Sequence, residues 1–155
     1  MDRQTIIQAC IDHQQQVAAV AKQEMDSAQQ QSNDYGANVD RYDSYRTKMM
    51  RARDMYAKQL SNANASLRVL QELLRMPPSA VADHGSVVHT DKGWYLLGIG
   101  LGKVLVPNAP AVNGVSQTPV FAVSAQTPVY LALKGRRPGD TVVIAGQGQT
   151  IREIM

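Results

Sequence analysis

The chain is short of the residues that break helices, and the shortage is confined to one half. Residues 1–76 contain no proline, and Gly36 is their only glycine. Aromatic residues make up 5% of the 155 residues, so a compact core has to be small and aliphatic. A single cysteine, Cys10, excludes an internal disulfide and fits a reducing compartment. No apolar run approaches the ~20 residues of a membrane-spanning helix. The opening "MDRQTIIQACIDHQQQ" has an acidic second residue and lacks the apolar run of a signal peptide. The expectation is a cytoplasmic, monomeric protein with no membrane partner.

Long breaker-free stretches are what the first half does have. Tyr42, Tyr45, Met49, Ala52, Tyr56, Leu60, Ala63, Leu67, Leu70 and Leu74 recur at steps of three and four, a heptad seam with one four-residue stutter. The spacing predicts a helix that runs until Pro77-Pro78 stops it. Upstream, Ile6, Cys10, Val17 and Val20 share a weaker stripe, with His13 at the same spacing. The Gln- and Ala-rich remainder favours helix but has little bulk to pack. Such a helix needs a partner. Turning back at "SNDYGAN" supplies one, because Asn, Asp and Gly tolerate turn conformations. Each arm of about thirty residues would be roughly 45 Å long.

Charge is unevenly divided between the arms. Residues 1–40 set Arg3 and Lys22 against Asp2, Asp12, Glu24, Asp26, Asp34 and Asp40. Residues 41–76 are basic, with Arg41, Arg46, Lys48, Arg51, Arg53, Lys58, Arg68 and Arg75 against three acids. The two signs could attract in an antiparallel pair, or each could be a solvated face.

Beyond "RMPPSAVADHG" the pattern changes to short β-branched runs: "SVVHT", "WYLLGIG", "KVLVP", "VFAVS", "TVVIA" and "TIREI". They predict a small antiparallel sheet. "TPVYLALKG" reads as one short helix, with Thr127 as N-cap and Pro128 at its first position. "VPNAPAVNGVSQTP", 106–119, reads as a loop insertion between strands. The organisation is therefore α+β: a coiled-coil hairpin over 1–76 with its tip near 33–43, a linker over 77–85, and a β domain over 86–155.

The stretch "TPVYLALKGRRPGDTVVIAGQGQTIREI" resembles the signature of Gre-type transcript cleavage factors, GreA and GreB. Thr127, Pro128, Ala132, Leu133, Gly135, Arg136, Arg137, Gly139 and Asp140 match it, followed by Gly146, Gly148, Ile151 and Ile154. Thr127 replaces the family's usual Ser, and Tyr130 and Lys134 stand where smaller or apolar residues are usual. The resemblance implies an FKBP-like C-terminal domain that docks on bacterial RNA polymerase through the region of Pro128, Gly135, Arg136, Arg137, Gly139 and Asp140. It also implies a hairpin reaching the polymerase's active centre. There two tip carboxylates help hold an Mg²⁺ that belongs to the polymerase, which itself cuts backtracked RNA. The chain would thus be an accessory factor with no metal or cofactor of its own.

Two registers compete at the tip. "DRYD" offers Asp40 and Asp43, whose i, i+3 spacing puts both carboxylates on one face of a helical turn. Aligning Tyr42 and Arg46 with the family's Tyr-x-x-x-Arg instead places Tyr35 and Asn38 where the carboxylates belong, with Asp34 the nearest acid. The second register describes a factor that occupies the channel and regulates or inhibits without stimulating cleavage. Arg46, Lys48, Arg51 and Arg53 stand where the resemblance implies contact with the nascent RNA 3′ end; such contacts would be to phosphates and sensitive to salt.

Other classes fare less well. Cys10 and His13 lie on a helix seam that offers no cleft for a catalytic thiol. His84 and His89 stand alone, as linker and strand surface. "GQGQT" lacks the lysine of a phosphate loop. Trp94, Tyr95, Phe121 and Tyr130 are too few for a prolyl-isomerase pocket. A structural coiled-coil adaptor, dimerising through the same periodicity, stays open as an alternative.

Overall fold

The computed structural model describes residues 1–34, 44–112 and 114–155. Two long helices come first, α1 (Arg3–Asp34) and α2 (Ser44–Arg75). Strands β1 (Val87–Thr90), β2 (Trp94–Leu97), β3 (Gly102–Val112) and β4 (Val115–Val123) follow, then α3 (Pro128–Leu133), β5 (Thr141–Ile144) and β6 (Gln147–Ile154). The chain forms two compact units, Asp12–Arg68 on the one hand and Met1–Ile11 with Val69–Met155 on the other.

Asp2 starts α1. Its Oδ1 accepts the Thr5 N–H at 2.7 Å, satisfying a donor that has no partner within the helix. The Thr5 side chain, and then its N–H, lower the Asp2 carboxyl pKa from its ordinary value by hydrogen bonding. α2 ends at Arg75, two residues before the prolines, and Met76 N–H closes the last turn on the Leu73 carbonyl.

In the Asp12–Arg68 unit the helices pack antiparallel. Gln29 meets Arg53, while residues 13–21 line a groove with Gln59, so positions rise on one helix as they fall on the other. The α2 seam follows the expected heptad: Met49, Ala52, Tyr56, Leu60, Ala63 and Leu67 are half-buried or buried. Tyr45, at its start, is instead exposed.

On α1 the expected stripe is wrong past Cys10. Val17 and Val20 are 37% and 47% exposed, and the covered positions are Gln14, Ala18, Ala21, Met25, Ala28 and Ser32. These step 4, 3, 4, 3 and 4, a strict heptad made mostly of small residues. The physical reason is shape. Alanines let α2 come close and give its Tyr and Leu side chains room, whereas the two valines would hold it away.

The β strands form one six-stranded sheet in the order β3-β4-β2-β1-β6-β5. It is mixed, which corrects the expectation of an antiparallel sheet. β4 runs parallel to β2, with Trp94 opposite Val120 and Leu97 opposite Val123. Four residues separate β2 from β3, too few for a parallel crossover. The chain instead leaves β2, runs out along β3 at the edge, and returns through a hairpin into the gap as β4.

The expected loop insertion at 106–119 is absent, because those residues are the outer halves of β3 and β4. Leu105 pairs with Pro119, Val106 with Thr118 and Pro107 with Gln117. Both prolines fit because β3 is an edge strand and Pro119 precedes the first β2–β4 pair.

Alternation gives the sheet two faces. On one, Val88, Tyr95, Leu97, Val142, Ile144 and Ile151 form a core with Tyr130 and Leu133 of α3. On the other, Val87, Leu96, Val104, Val106, Val120 and Ala122 are buried. In the first turns of α1 and the last turns of α2, which belong to the same unit, Ile6, Ile7, Cys10, Leu70 and Leu73 are fully buried. Arg3 ties them together. Its Nε donates to the Gly85 carbonyl at 2.8 Å and its Nη2 to the Leu73 carbonyl in the last turn of α2. A cation at that terminus also complements the helix dipole. The segment after α2 is bonded in as well: Gly135 N–H donates to Ala82 O, and Ala82 N–H to Arg136 O.

Two substitutions test these local arguments by urea denaturation. Arg3→Met keeps the stem but removes the donor to the Gly85 carbonyl and one of the two donors to the Leu73 carbonyl, and should destabilise by about 1–3 kcal/mol. The β5–β6 turn holds Ala145 at φ 51° and Gly146 at φ 78°, the pattern of a two-residue turn that favours Asn-Gly. Ala145→Asn should therefore stabilise by about 0.5–1 kcal/mol. No change in the midpoint of either variant would contradict these readings.

Candidate functional site

The tip of the hairpin is the first region to examine, and the described part ends at Asp34. Polar side chains lace the last turns of α1. Gln29 Nε2 donates to Asn33 Oδ1 at 3.0 Å, and Gln30 Nε2 donates to Asp34 Oδ1 at 2.7 Å. One oxygen of the Asp34 carboxylate is thus engaged by its own helix. Asp40 and Asp43, like Tyr35, Asn38, Arg41 and Tyr42, lie outside the described residues.

The four basic residues of α2 expected to contact RNA do not converge. At 100° per residue, Arg46 and Arg53 share one side of the helix, and Lys48 and Arg51 share roughly the opposite side. Lys48 and Arg51 are exposed, while Arg46 and Arg53 are half-buried.

Arg53 is occupied. Its Nη1 donates to Gln29 Oε1 at 2.7 Å, while Nε and Nη2 donate to Asp54 Oδ1 at 3.1 and 2.8 Å. The Arg53–Asp54 ion pair is exposed and contributes little to stability. The Gln29 bond is more informative, because it joins the two helices. Of the expected RNA-contacting set, Lys48 and Arg51 are the residues whose charge faces solvent.

In the β unit, several of the matched residues have structural work. Thr127 Oγ1 accepts the Tyr130 N–H at 3.3 Å and donates to the Ser124 carbonyl at 2.8 Å, and exposed Pro128 opens α3. Gly135 leaves α3 at φ 78°. Arg137 to Asp140 form a turn closed by Asp140 N–H on the Arg137 carbonyl at 3.1 Å, with Pro138 preceding Gly139 at φ 94°. That is a type II turn, and it needs these residue types. The Asp140 carboxylate accepts the Arg137 N–H at 2.8 Å. The guanidinium of Arg136 leans back on the Ala132 carbonyl at 3.3 Å.

Sequence reasoning missed a buried polar cluster. Gln149 Oε1 accepts from Thr90 Oγ1 at 2.7 Å and from the Tyr95 hydroxyl at 3.2 Å. A glutamine in "GQGQT" gives no hint that it is buried. Register alone carries it to the core face, beside Val142.

His89 is not isolated either. It stacks on Trp94 at 3.8 Å between ring centroids, and a bulge in β6 brings Arg152 and Glu153 near it. Burial pushes the His89 pKa below the ordinary imidazole value; Arg152 adds to the shift and Glu153 opposes it. Cys10, expected to be a buried thiol, is pushed up to about 11 by burial, which leaves it protonated and unreactive.

On the hairpin, a shallow groove of about 250 Å³ is lined by His13, Gln16, Val17, Val20, Ala21 and Gln59. Among the described residues, no group of three or more His, Cys, Asp and Glu side chains is arranged to hold a metal ion. No described helix is long and apolar enough to cross a membrane.

No protein-family model matches the chain, and no curated protein matches it either.

The His89 shift has a defined sign. A depressed imidazole pKa means that the fold binds fewer protons than the unfolded chain just below the ordinary value of about 6.5. Stability should therefore fall as pH drops from 7.5 to 5.5. His89→Gln should make that fall shallower, as read from urea midpoints at the two pH values. An identical fall in both proteins would remove His89 as its source.

Proposed function

We propose that the chain is a Gre-type elongation factor, which binds RNA polymerase at its secondary channel and brings hairpin-tip carboxylates to the polymerase's Mg²⁺. What carries the reading is the order of elements. Two long antiparallel helices precede a β unit, and that unit's Thr-Pro-capped helix and Arg-Arg-Pro-Gly-Asp turn fall on the resembling stretch. The domain of this reading is FKBP-like, the location cytoplasmic, and the partner polymerase with its backtracked RNA.

The chemistry is economical. Mg²⁺ takes oxygen ligands and retains several waters, so a weakly held ion gains from one or two added carboxylates. With two metals present, one activates a water and the other stabilises the departing oxygen. The factor need only position acids, and helices locked by a small-residue seam lose little entropy in doing so.

Asp40 and Asp43 are the acids in this assignment, with Asp34 beside them. Lys48 and Arg51 are the residues best exposed to meet RNA phosphates. A second reading within the family draws on Asp34, whose carboxylate is bonded back to Gln30. If the tip follows the Tyr42–Arg46 register, that acid is the nearest one, and the factor blocks the channel without stimulating cleavage.

A purified, stalled and backtracked elongation complex separates the readings. Wild-type protein should accelerate shortening of the transcript. Asp40→Ala with Asp43→Ala should reduce that acceleration by about tenfold or more while polymerase binding persists, the scale on which loss of metal-orienting groups acts. Wild-type binding without shortened transcripts would select the blocking reading. No binding would reject both.

A further inference from the structure

α3 leaves part of its sheet face uncovered. Tyr130 and Leu133 pack with side chains of β1, β2, β5 and β6, and β3 and β4 lie beyond them in the sheet order. The register puts Lys103, Leu105, Pro119 and Phe121 on this same face. Phe121 stands opposite Lys103 and beside Tyr95, and Leu105 stands opposite Pro119. The Tyr95 and Phe121 rings touch, with centroids 5.9 Å apart. Phe121 is nevertheless 40% exposed and Leu105 49%. On the reverse side of the same strands, Val104, Val106, Val120 and Ala122 are buried. A strand pair with one buried face ordinarily turns polar residues to water on the other. This pair is apolar on both faces, and no charged residue occurs from Val104 to Leu133.

Two features narrow what covers it. Pro107 and Pro119 interrupt the row of N–H donors, so the ribbon is a poor template for adding a strand, and its side-chain face is the part on offer. Lys103 is the only charged residue that the pairing register puts on this face of β3 and β4. A second copy, related by two-fold symmetry, would bring another Lys103 and no carboxylate from this face. A partner with an acid next to an aliphatic side chain answers both the charge and the apolar surface.

We propose that the open face of β3 and β4 is a docking surface for a protein segment presenting aliphatic side chains flanked by a carboxylate. Phe121 and Leu105 are its anchor, and Lys103 sets the orientation of the incoming acid. An aromatic side chain with one face already supported by Tyr95 is well suited to anchor, since little freedom is lost on contact. The identity of the partner as polymerase rests on the function proposed above. This face lies apart from the Arg136–Asp140 turn, where the Asp140 carboxylate is bonded to the Arg137 N–H.

Biolayer interferometry of the full chain on immobilised core RNA polymerase tests it, with circular dichroism melts of each variant alongside. Leu105→Ser with Phe121→Ser should weaken binding by about tenfold or more, as loss of an anchor does. Lys103→Glu, at an exposed position that the fold does not need, should weaken binding severalfold and flatten its salt dependence. Wild-type binding with Lys103→Glu and the serine variant unimpaired overturns the docking face while leaving the proposed function standing. Failure of the wild type to bind overturns the functional reading and the docking assignment with it. A wild-type dimer in sedimentation that Phe121→Ser dissociates would assign the face to a second copy, which also overturns the proposal.

Discussion

A six-stranded sheet has two apolar faces to bury, and this one has a single six-residue helix of its own. That shortage is the constraint on which the β unit depends. α3 closes the core around Tyr130 and Leu133. In the same unit Ile6, Ile7, Cys10, Leu70 and Leu73, in the first turns of α1 and the last turns of α2, are fully buried, whereas the rest of both helices is largely polar. Burying an aliphatic side chain contributes about 1.5–3 kcal/mol, so these few residues stabilise far more than the surface ion pair further along α2. Arg3 then fixes the geometry with its bonds to the last turn of α2 and to Gly85.

Between residues 12 and 68 the physics differs. The seam there has no broad apolar face, only alanines and a few polar residues on α1 against Tyr, Leu and Met on α2. Such a seam gains stability from close approach rather than from area. Gln29 and Arg53 add a cross-helix bond near the far end. Close packing and a cross-helix bond of this kind would suit the positioning role proposed for the hairpin.

Function and fold compete for the same residues in the β unit. The turn from Gly135 to Asp140 has the composition of a binding motif, yet Gly135, Pro138, Gly139 and Asp140 are explained by backbone need: a left-handed exit from α3, a type II turn, and a carboxylate closing on an amide. Phe121 and Leu105 are the reverse case. Nothing in the fold requires them to be apolar, and they stand half in water.

The long helices and the end of α2 were legible from local chemistry alone, because breaker-free runs and Pro77-Pro78 act within a few residues. The α2 seam was legible because large side chains recur at a regular period. The α1 seam was not, since alanines and Gln14 carry no hydrophobic signal and Val17 and Val20 carry a misleading one. Strand positions could be read as well, with 106–119 the exception: three prolines there imitate a loop, and they are acceptable because β3 is an edge strand and Pro119 precedes the first pair of β4 with β2. Which strand lies beside which, the parallel β2–β4 pair, the burial of Gln149 and the bareness of Phe121 follow from contacts between residues tens of positions apart. By itself, then, the sequence determined where the chain is helical, where it turns and how α3 is capped, all short-range matters of backbone preference. Tertiary packing decided which side of each element faces water, because that depends on the shape of whatever arrives from elsewhere in the chain.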